Sequence, residues 1–76
     1  MTDDELISIL DVRGLWLVRA AGSIRATIET LRGALHEASR KSAEGVPVTS
    51  IVRMPNDEVI IPAEQIYRLW KHLKLV

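Results

Sequence analysis

The stretch AGSIRATIETLRG, residues 21–33, decides the fold of this chain. It has two interpretations. In one, Gly22 forms the turn of a DNA-binding helix-turn-helix and the residues after it form the second helix. In the other, the whole stretch lies in the middle of one long packing helix. The two interpretations imply different partners, so the flanking residues have to decide between them.

The flanking residues favour the long helix. Over residues 17–38 the apolar side chains recur in alternating steps of four and three, which is the heptad spacing of a helix that packs against other helices. Arg40, Lys41 and Gly45 then supply the cations and the glycine that are typical of a helix C-terminus. The two glycines in the helix interior cost only about 1 kcal/mol each relative to alanine.

The predicted helix is too long to be covered by its own chain. A helix of roughly 25 to 30 residues extends about 40 Å at 1.5 Å per residue, and the segments on either side of it are shorter. A second copy of the chain is the natural cover, in a parallel or an antiparallel sense, and this predicts a homodimeric helical bundle. The expected dimer seam consists of Leu17, Ala21, Ile24, Ile28, Leu31, Leu35 and Ala38.

Both ends of the chain carry local helix signals. Thr2 and Glu5 have the spacing of a capping box, which predicts an N-terminal helical arm. Residues 11–14 are weakly helical and leave both a kink and a break open. Pro62 fits the first turn of a closing amphipathic helix. The apolar face of that helix consists of Ile66, Leu69, Trp70 and Leu73.

A short β-hairpin precedes the closing helix. Residues 48–54 and 58–61 are rich in β-branched side chains, and the turn-forming sequence Pro55-Asn56-Asp57 lies between them. The predicted fold is therefore mainly α with a small β-hairpin (α+β). It consists of an N-terminal helical arm, a long central heptad-patterned helix, the hairpin and a C-terminal amphipathic helix, in a single domain over residues 1–76.

The second half of the chain also supports the other interpretation. Residues 45–70, GVPVTSIVRMPNDEVIIPAEQIYRLW, begin with a G-x-P-V step, continue through the hairpin and end at Trp70. This run resembles the end of small excisionase-type and MerR-like DNA-binding proteins, in which a recognition helix precedes such a step. The resemblance implies a winged helix-turn-helix regulator, with Arg25 and Arg32 facing DNA and Arg53 in the wing.

Three positions depart from the helix-turn-helix pattern. Ser23, just after Gly22, stands where an apolar residue usually fills the turn. Val18 lies four residues before Gly22, where alanine or glycine is usual because the two helices approach closely. Ile24 stands where a polar N-cap is expected. We therefore expect the long packing helix and keep the winged helix-turn-helix as the alternative.

Composition narrows the class of protein. Ten basic and ten acidic residues cancel, which removes the overall positive charge expected of a nucleic-acid-binding domain, although residues 17–41 hold five basic residues and two acidic ones. The chain has no cysteine, so it has neither disulfides nor a cysteine zinc site. Its acidic first residues and the lack of a long apolar run predict a cytoplasmic protein without a membrane partner.

No motif indicates catalysis. The sequence lacks a phosphate-binding loop, a nucleophile elbow, an H-E-x-x-H motif and a calcium loop, and its two histidines are isolated. We therefore predict no catalytic residue, no metal site and no cofactor. Trp16, between Leu15 and Leu17, makes the apolar arc of the predicted helix too wide for one neighbour, and tryptophan is a favoured anchor at protein interfaces.

These observations predict a non-catalytic small binding protein that acts as an adaptor, regulator or inhibitor. Its expected partners are a second copy of itself and another macromolecule, a protein in the first place, with nucleic acid as the alternative. Such a chain is typical of phage or mobile-element products. The candidate partner surface consists of Trp16, Arg19, Arg25, Arg32 and Arg40, and Arg53 is the candidate wing contact.

Overall fold

The fold is an antiparallel sheet with helices packed on one of its faces. The computed structural model describes residues 1–23, 25–55 and 59–75. The strands lie in the order β2-β1-β3-β4, and each pair of neighbours is antiparallel. The elements in chain order are α1 (Asp3–Ser8), β1 (Leu15–Ala20), a 3₁₀ turn (Ala21–Ser23), β2 (Arg25–Ile28), α2 (Leu31–Ala43), β3 (Val48–Met54), β4 (Ile60–Pro62) and α3 (Ala63–His72).

The prediction of a long central helix is wrong. β1 and β2 form an antiparallel hairpin, and Gly22 between them has φ 75°, a left-handed conformation that favours glycine. The steps of four and three arise because a hairpin with apolar residues on both faces is followed directly by an amphipathic helix. The spacing of apolar residues therefore matches a helix by coincidence, although it covers two strands and a helix. The fold is α+β with a four-stranded sheet and is not mainly α.

The expected dimer seam is not a continuous surface. Leu17 lies in β1, Ala21 is exposed in the turn and Ile28 lies in β2, while Ile24 is outside the described residues. The remaining three seam residues lie in α2 and are fully buried in the core of their own chain, so a bundle formed through this seam has no structural basis: Leu31, Leu35 and Ala38.

The turn of a helix-turn-helix does not form at Gly22 either. Gly22 lies in the turn of the β1–β2 hairpin, and only the end of the expected recognition helix is helical, as α2 from Leu31, so the described residues contain no helix-turn-helix. The β3–β4 hairpin does lie where the sequence indicated, although residues 56–58 of its turn fall outside the described part of the chain. β3 pairs with β1 along its length, so this hairpin is part of the four-stranded sheet, with β4 at its edge, and is not a projecting wing.

Other local predictions are confirmed. Thr2 caps α1 through a complete capping box with Glu5, and helix α3 follows Pro62. In α3, Ile66, Leu69 and Trp70 are buried. Both elements were predictable because their signals lie within a few residues of the structure that they specify.

Helix α2 begins at Thr30 and packs closely on β2. The Thr30 Oγ1 accepts a hydrogen bond of 3.1 Å from the Gly33 N–H, which caps the helix. A Cβ atom at Gly33 would lie 2.7 Å from Cγ2 of Ile28, so only glycine fits where the helix crosses the strand. Gly33 therefore sets the distance between the helix layer and this edge of the sheet.

The core lies between the sheet and the helix layer. The overall extents of 29 × 27 × 18 Å fit two layers, since 18 Å leaves no room for a third. Trp70 Nε1 donates a 3.0 Å hydrogen bond to the Leu35 carbonyl and joins α3 to α2. None of the helices within the described residues has the length and apolar character to cross a bilayer. The sheet contributes Trp16, Val18, Ile51 and Ile61 to the core, and α1, α2 and α3 contribute Leu6, Leu31, Leu35, Ile66 and Leu69.

Two ion pairs join elements that are distant in sequence. Arg68 of α3 donates to both carboxylate oxygens of Asp3, at 2.8 and 3.2 Å, and Arg32 of α2 donates to both oxygens of Asp11, at 2.8 and 3.1 Å. Gln65 adds a 2.9 Å hydrogen bond to Asp3. The hydrogen bonds from Arg68 and Arg32 hold the pKa values of the Asp3 and Asp11 carboxyls below their ordinary value.

We expect Gly33→Ala to lower the free energy of unfolding. Alanine is about 1 kcal/mol better than glycine inside an exposed helix, so the helix alone predicts a stabilised variant. The contact with Ile28 opposes this and reverses the sign, because a branched methyl beside the backbone cannot move away cheaply. Urea unfolding measures the difference. The double variant Ile28→Ala/Gly33→Ala should be less destabilised than the two single changes added together, and a stabilised Gly33→Ala would contradict the packing of α2 on β2.

Stability should fall in acid. A carboxyl whose pKa is lowered in the folded state stabilises that state above the ordinary value of 3.8, and this contribution is lost as the pH falls through the lower folded pKa. Asp3→Asn should therefore reduce the difference in unfolding free energy between neutral pH and a pH below 3.8. Asp4→Asn, which changes an exposed residue of the same helix with no ion pair to a described residue, is the control. An equal effect of the two variants would contradict the role of the Arg68 contact.

Candidate functional site

The two faces of the sheet differ in what covers them. Trp16, Val18, Ile51 and Ile61 point to one face, and all three helices bury residues against that side. Side chains alternate along a strand, so the intervening residues point to the opposite face, which we call the outer face. The outer face carries Leu15, Leu17 and Arg19 of β1, Arg25 and Thr27 of β2, Ser50, Val52 and Met54 of β3, and Ile60 and Pro62 of β4.

An apolar patch occupies the middle of the outer face. Leu17 pairs with Val52, and Val52 pairs with Ile60 on the other side, so the three side chains form a row across β1, β3 and β4. Leu15 pairs with Met54 in the next row of the same face. Leu17 and Val52 are buried at the centre, whereas Leu15 is 46% exposed and Ile60 is 59% exposed. We define the apolar patch by these five residues. The exposed apolar surface comes from Leu15 and Ile60, with half-buried Met54 beside them, and such surface can form an interaction site in a soluble protein.

Two arginines border the apolar patch. Arg19 and Arg25 pair directly across β1 and β2, one row beyond Leu17 and Thr27. Arg25 is exposed and forms no ion pair with another described residue. The described strand positions of the outer face include no aspartate or glutamate. Arg25 therefore places an exposed positive charge at this end of the face.

The arginines of the helices are in a different electrostatic state. Arg32 is paired with Asp11, and Arg40 is paired with Glu37 and, at 2.8 Å, with Glu44. The hydrogen bonds that Arg32 and Arg40 donate to Asp11 and Glu37, respectively, raise the pKa values of the two guanidiniums above their ordinary value. The cationic character of α2 is thus largely neutralised within the chain. Arg25, in contrast, remains available to an anionic group on a partner.

Trp16 does not lie on the surface. It is 1% exposed and belongs to the core, so it cannot be the exposed partner anchor that the sequence indicated. The guanidinium of Arg53 lies 5.7 Å from the centroid of the Trp16 ring. Arg53 pairs with Trp16 in the sheet and therefore lies on the helix side, away from the outer face. Both side chains therefore lie on the face of the sheet that packs against the helices.

The structure brings together only part of the predicted partner surface. Arg19 and Arg25 lie side by side, whereas Arg32 and Arg40 lie on α2 in ion pairs. The sequence analysis did not identify Leu15 and Ile60 as surface residues of a binding site. It relied on helical spacing, which does not reveal apolar residues exposed on strands. A signal was present in LWLV, residues 15–18, since an uninterrupted apolar run is typical of a strand that has apolar residues on both faces.

Comparisons with protein families, with curated proteins and with solved structures find no match.

Substitutions on the outer face should affect stability according to how deeply each side chain is buried. Leu15→Ser and Ile60→Ser should each change the free energy of unfolding by less than about 1 kcal/mol, because both side chains are largely exposed. Val52→Ala should cost about 2 kcal/mol, because this side chain is fully buried between them. Chemical denaturation measures all three. A large loss in both serine variants would show that the exposed residues are needed for folding.

Proposed function

We propose that this chain is a non-catalytic binding protein of the cytoplasm, which acts as an adaptor, regulator or inhibitor by holding another protein on its outer face. The observation that carries the proposal is the apolar patch on the sheet face opposite the helices. Leu15 and Ile60 expose about half of their surface there, on strands that the core holds in place. Stability does not require such exposure, whereas a binding surface does.

The anatomy of the outer face supports a protein partner. A protein interface has a well-packed apolar centre and a polar rim. The apolar patch supplies the centre, and Arg25, Thr27 and Ser50 lie beside it as the rim. The face is built from paired strands and not from loops, so binding requires little ordering of the backbone. The proposed mechanism is steric. The preformed outer face either blocks a surface of the bound partner or holds that partner next to another molecule.

Nucleic acid has less support as the partner. Surfaces that bind single strands combine basic residues with aromatic side chains on which bases stack. The described strand positions of the outer face include no aromatic residue, and Trp16 and Trp70 are both in the core. Arg19 and Arg25 could contact phosphates, but the exposed aliphatic side chains beside them have no role in such a contact.

Self-association remains a prediction that requires a different surface. Without the long helix, the outer face is the surface on which a second copy would find apolar contact. It would bring a second Arg19 and a second Arg25 to the same interface. Light scattering on the wild-type chain and on Ile60→Ser measures whether such a dimer forms.

Peptide selection tests the proposed function. We would select binders to the wild-type chain from a library of random displayed peptides and measure their affinities by fluorescence anisotropy. Leu15→Ser and Ile60→Ser should weaken these affinities roughly tenfold or more, because each variant removes apolar area from the centre of the interface. Tyr67→Ser, which removes a side chain of similar exposure on helix α3, should leave them unchanged.

The proposal fails if no peptide is enriched. It also fails if the enriched peptides bind both serine variants as tightly as they bind the wild-type chain.

A further inference from the structure

We infer that the partner is a protein segment with an apolar strip and an adjacent carboxylate, in which the strip covers the apolar patch and the carboxylate pairs with Arg25. This inference rests on the proposed function and assigns the chemistry of the partner. It depends on where Arg25 lies relative to the apolar patch and on the lack of acidic residues at the described strand positions of the outer face.

A single partner element can reach both sites. Arg25 lies two residues along β2 from Thr27, and Thr27 pairs with Leu17 of the apolar patch. Two residues of a strand extend about 7 Å, and neighbouring strands are about 5 Å apart. A helix supplies an apolar and an acidic side chain one turn apart, and an extended segment supplies them at alternate residues. Leu17 is buried, however, and the exposed side chains of Leu15 and Ile60 lie about 14 to 16 Å from Arg25, so the partner segment needs about three helical turns or about five extended residues.

The cost of covering Arg25 favours a carboxylate. A partner that seals the apolar patch also removes water from its border, and a desolvated guanidinium without an acceptor is costly. Even at the surface of this chain, Arg32, Arg40 and Arg68 each donate to an aspartate or glutamate. No described ion pair does so for Arg25. A carboxylate is the matching group, because it accepts two hydrogen bonds from one guanidinium.

The described strands of a second copy's outer face do not supply this chemistry. These strand positions include no aspartate or glutamate, so two outer faces packed together would offer Arg25 no carboxylate from those positions and would add a second Arg25 to the interface. A nucleic acid supplies anions, but it offers no apolar strip to Leu15 and Ile60. An acidic protein segment meets both requirements at once.

Charge exchange between the chain and its peptides tests the inference. The probes are the peptides selected on the wild-type chain that lose affinity for Leu15→Ser, each made also with its acidic residues replaced by glutamine or by lysine. Arg25→Glu should weaken the parent peptides roughly fivefold or more, and the neutral Arg25→Gln should weaken them less. The lysine peptides should prefer Arg25→Glu to the wild-type chain. Lys71→Glu, the same change of charge on helix α3, is the matched control.

Each outcome separates the inference from the proposed function. The peptides could bind through the apolar patch without enrichment in aspartate and glutamate, and Arg25→Glu could weaken them no more than Lys71→Glu does. This result would contradict an acidic partner but would leave the proposed binding face in place. If a mixed-sequence DNA duplex displaces the peptides and loses affinity with Arg25→Glu, the partner is a nucleic acid. If the chain dimerises and Ile60→Ser dissociates the dimer, the outer face belongs to a second copy. Weaker binding of the acidic peptides at high salt, with the preference exchanged in Arg25→Glu, supports the inference.

Discussion

The rest of the structure depends on strand β1 contributing apolar side chains to both faces of the sheet. Trp16 and Val18 are buried against the helices, while Leu17, between them in sequence, is buried on the outer face. β1 pairs with β2 on one side and β3 on the other, so it fixes the register of both. A shift of one residue would move Trp16 out of the core. The same alternation that builds the core therefore places Leu17 at the centre of the apolar patch.

Local sequence signals predicted only those elements whose specification is local. The capping box of Thr2 and Glu5 and the β-branched strand over residues 48–54 depend on near neighbours, and both structures formed as predicted. The long helix was inferred from a period instead of a boundary. Gly22 and Thr30 mark the two true boundaries, as a turn with positive φ and as a helix cap. In the sequence, Gly22 and Thr30 stood out less than the regular spacing of apolar residues. They are nevertheless more directly tied to structure, because positive φ favours glycine and a threonine side chain caps a helix.

The candidate site was less predictable than the fold, because it is a property of strand register. Arg19 and Arg25 are six residues apart in sequence and become direct neighbours only through the β1–β2 hairpin. Ile60 joins Leu17 through β3, over a sequence distance that no local pattern spans. Trp16 was given a surface role because a helix would have exposed it, whereas a strand buries it. Once the alternation of β1 is known, all of these assignments follow.

The small size of the chain explains why its helices cover only one face of the sheet. A chain of 76 residues buries a small core, and its helices form a layer on one side of the sheet only. Strands with apolar residues on both faces, such as β1, are most stable when both faces are covered. A partner on the outer face would add the missing layer, and ligands that bind only the folded state raise its stability in proportion to RT ln(1 + [L]/Kd). A partner that covers Leu15 and Ile60 would thus also stabilise the sheet whose buried residues Leu17 and Val52 lie beside them.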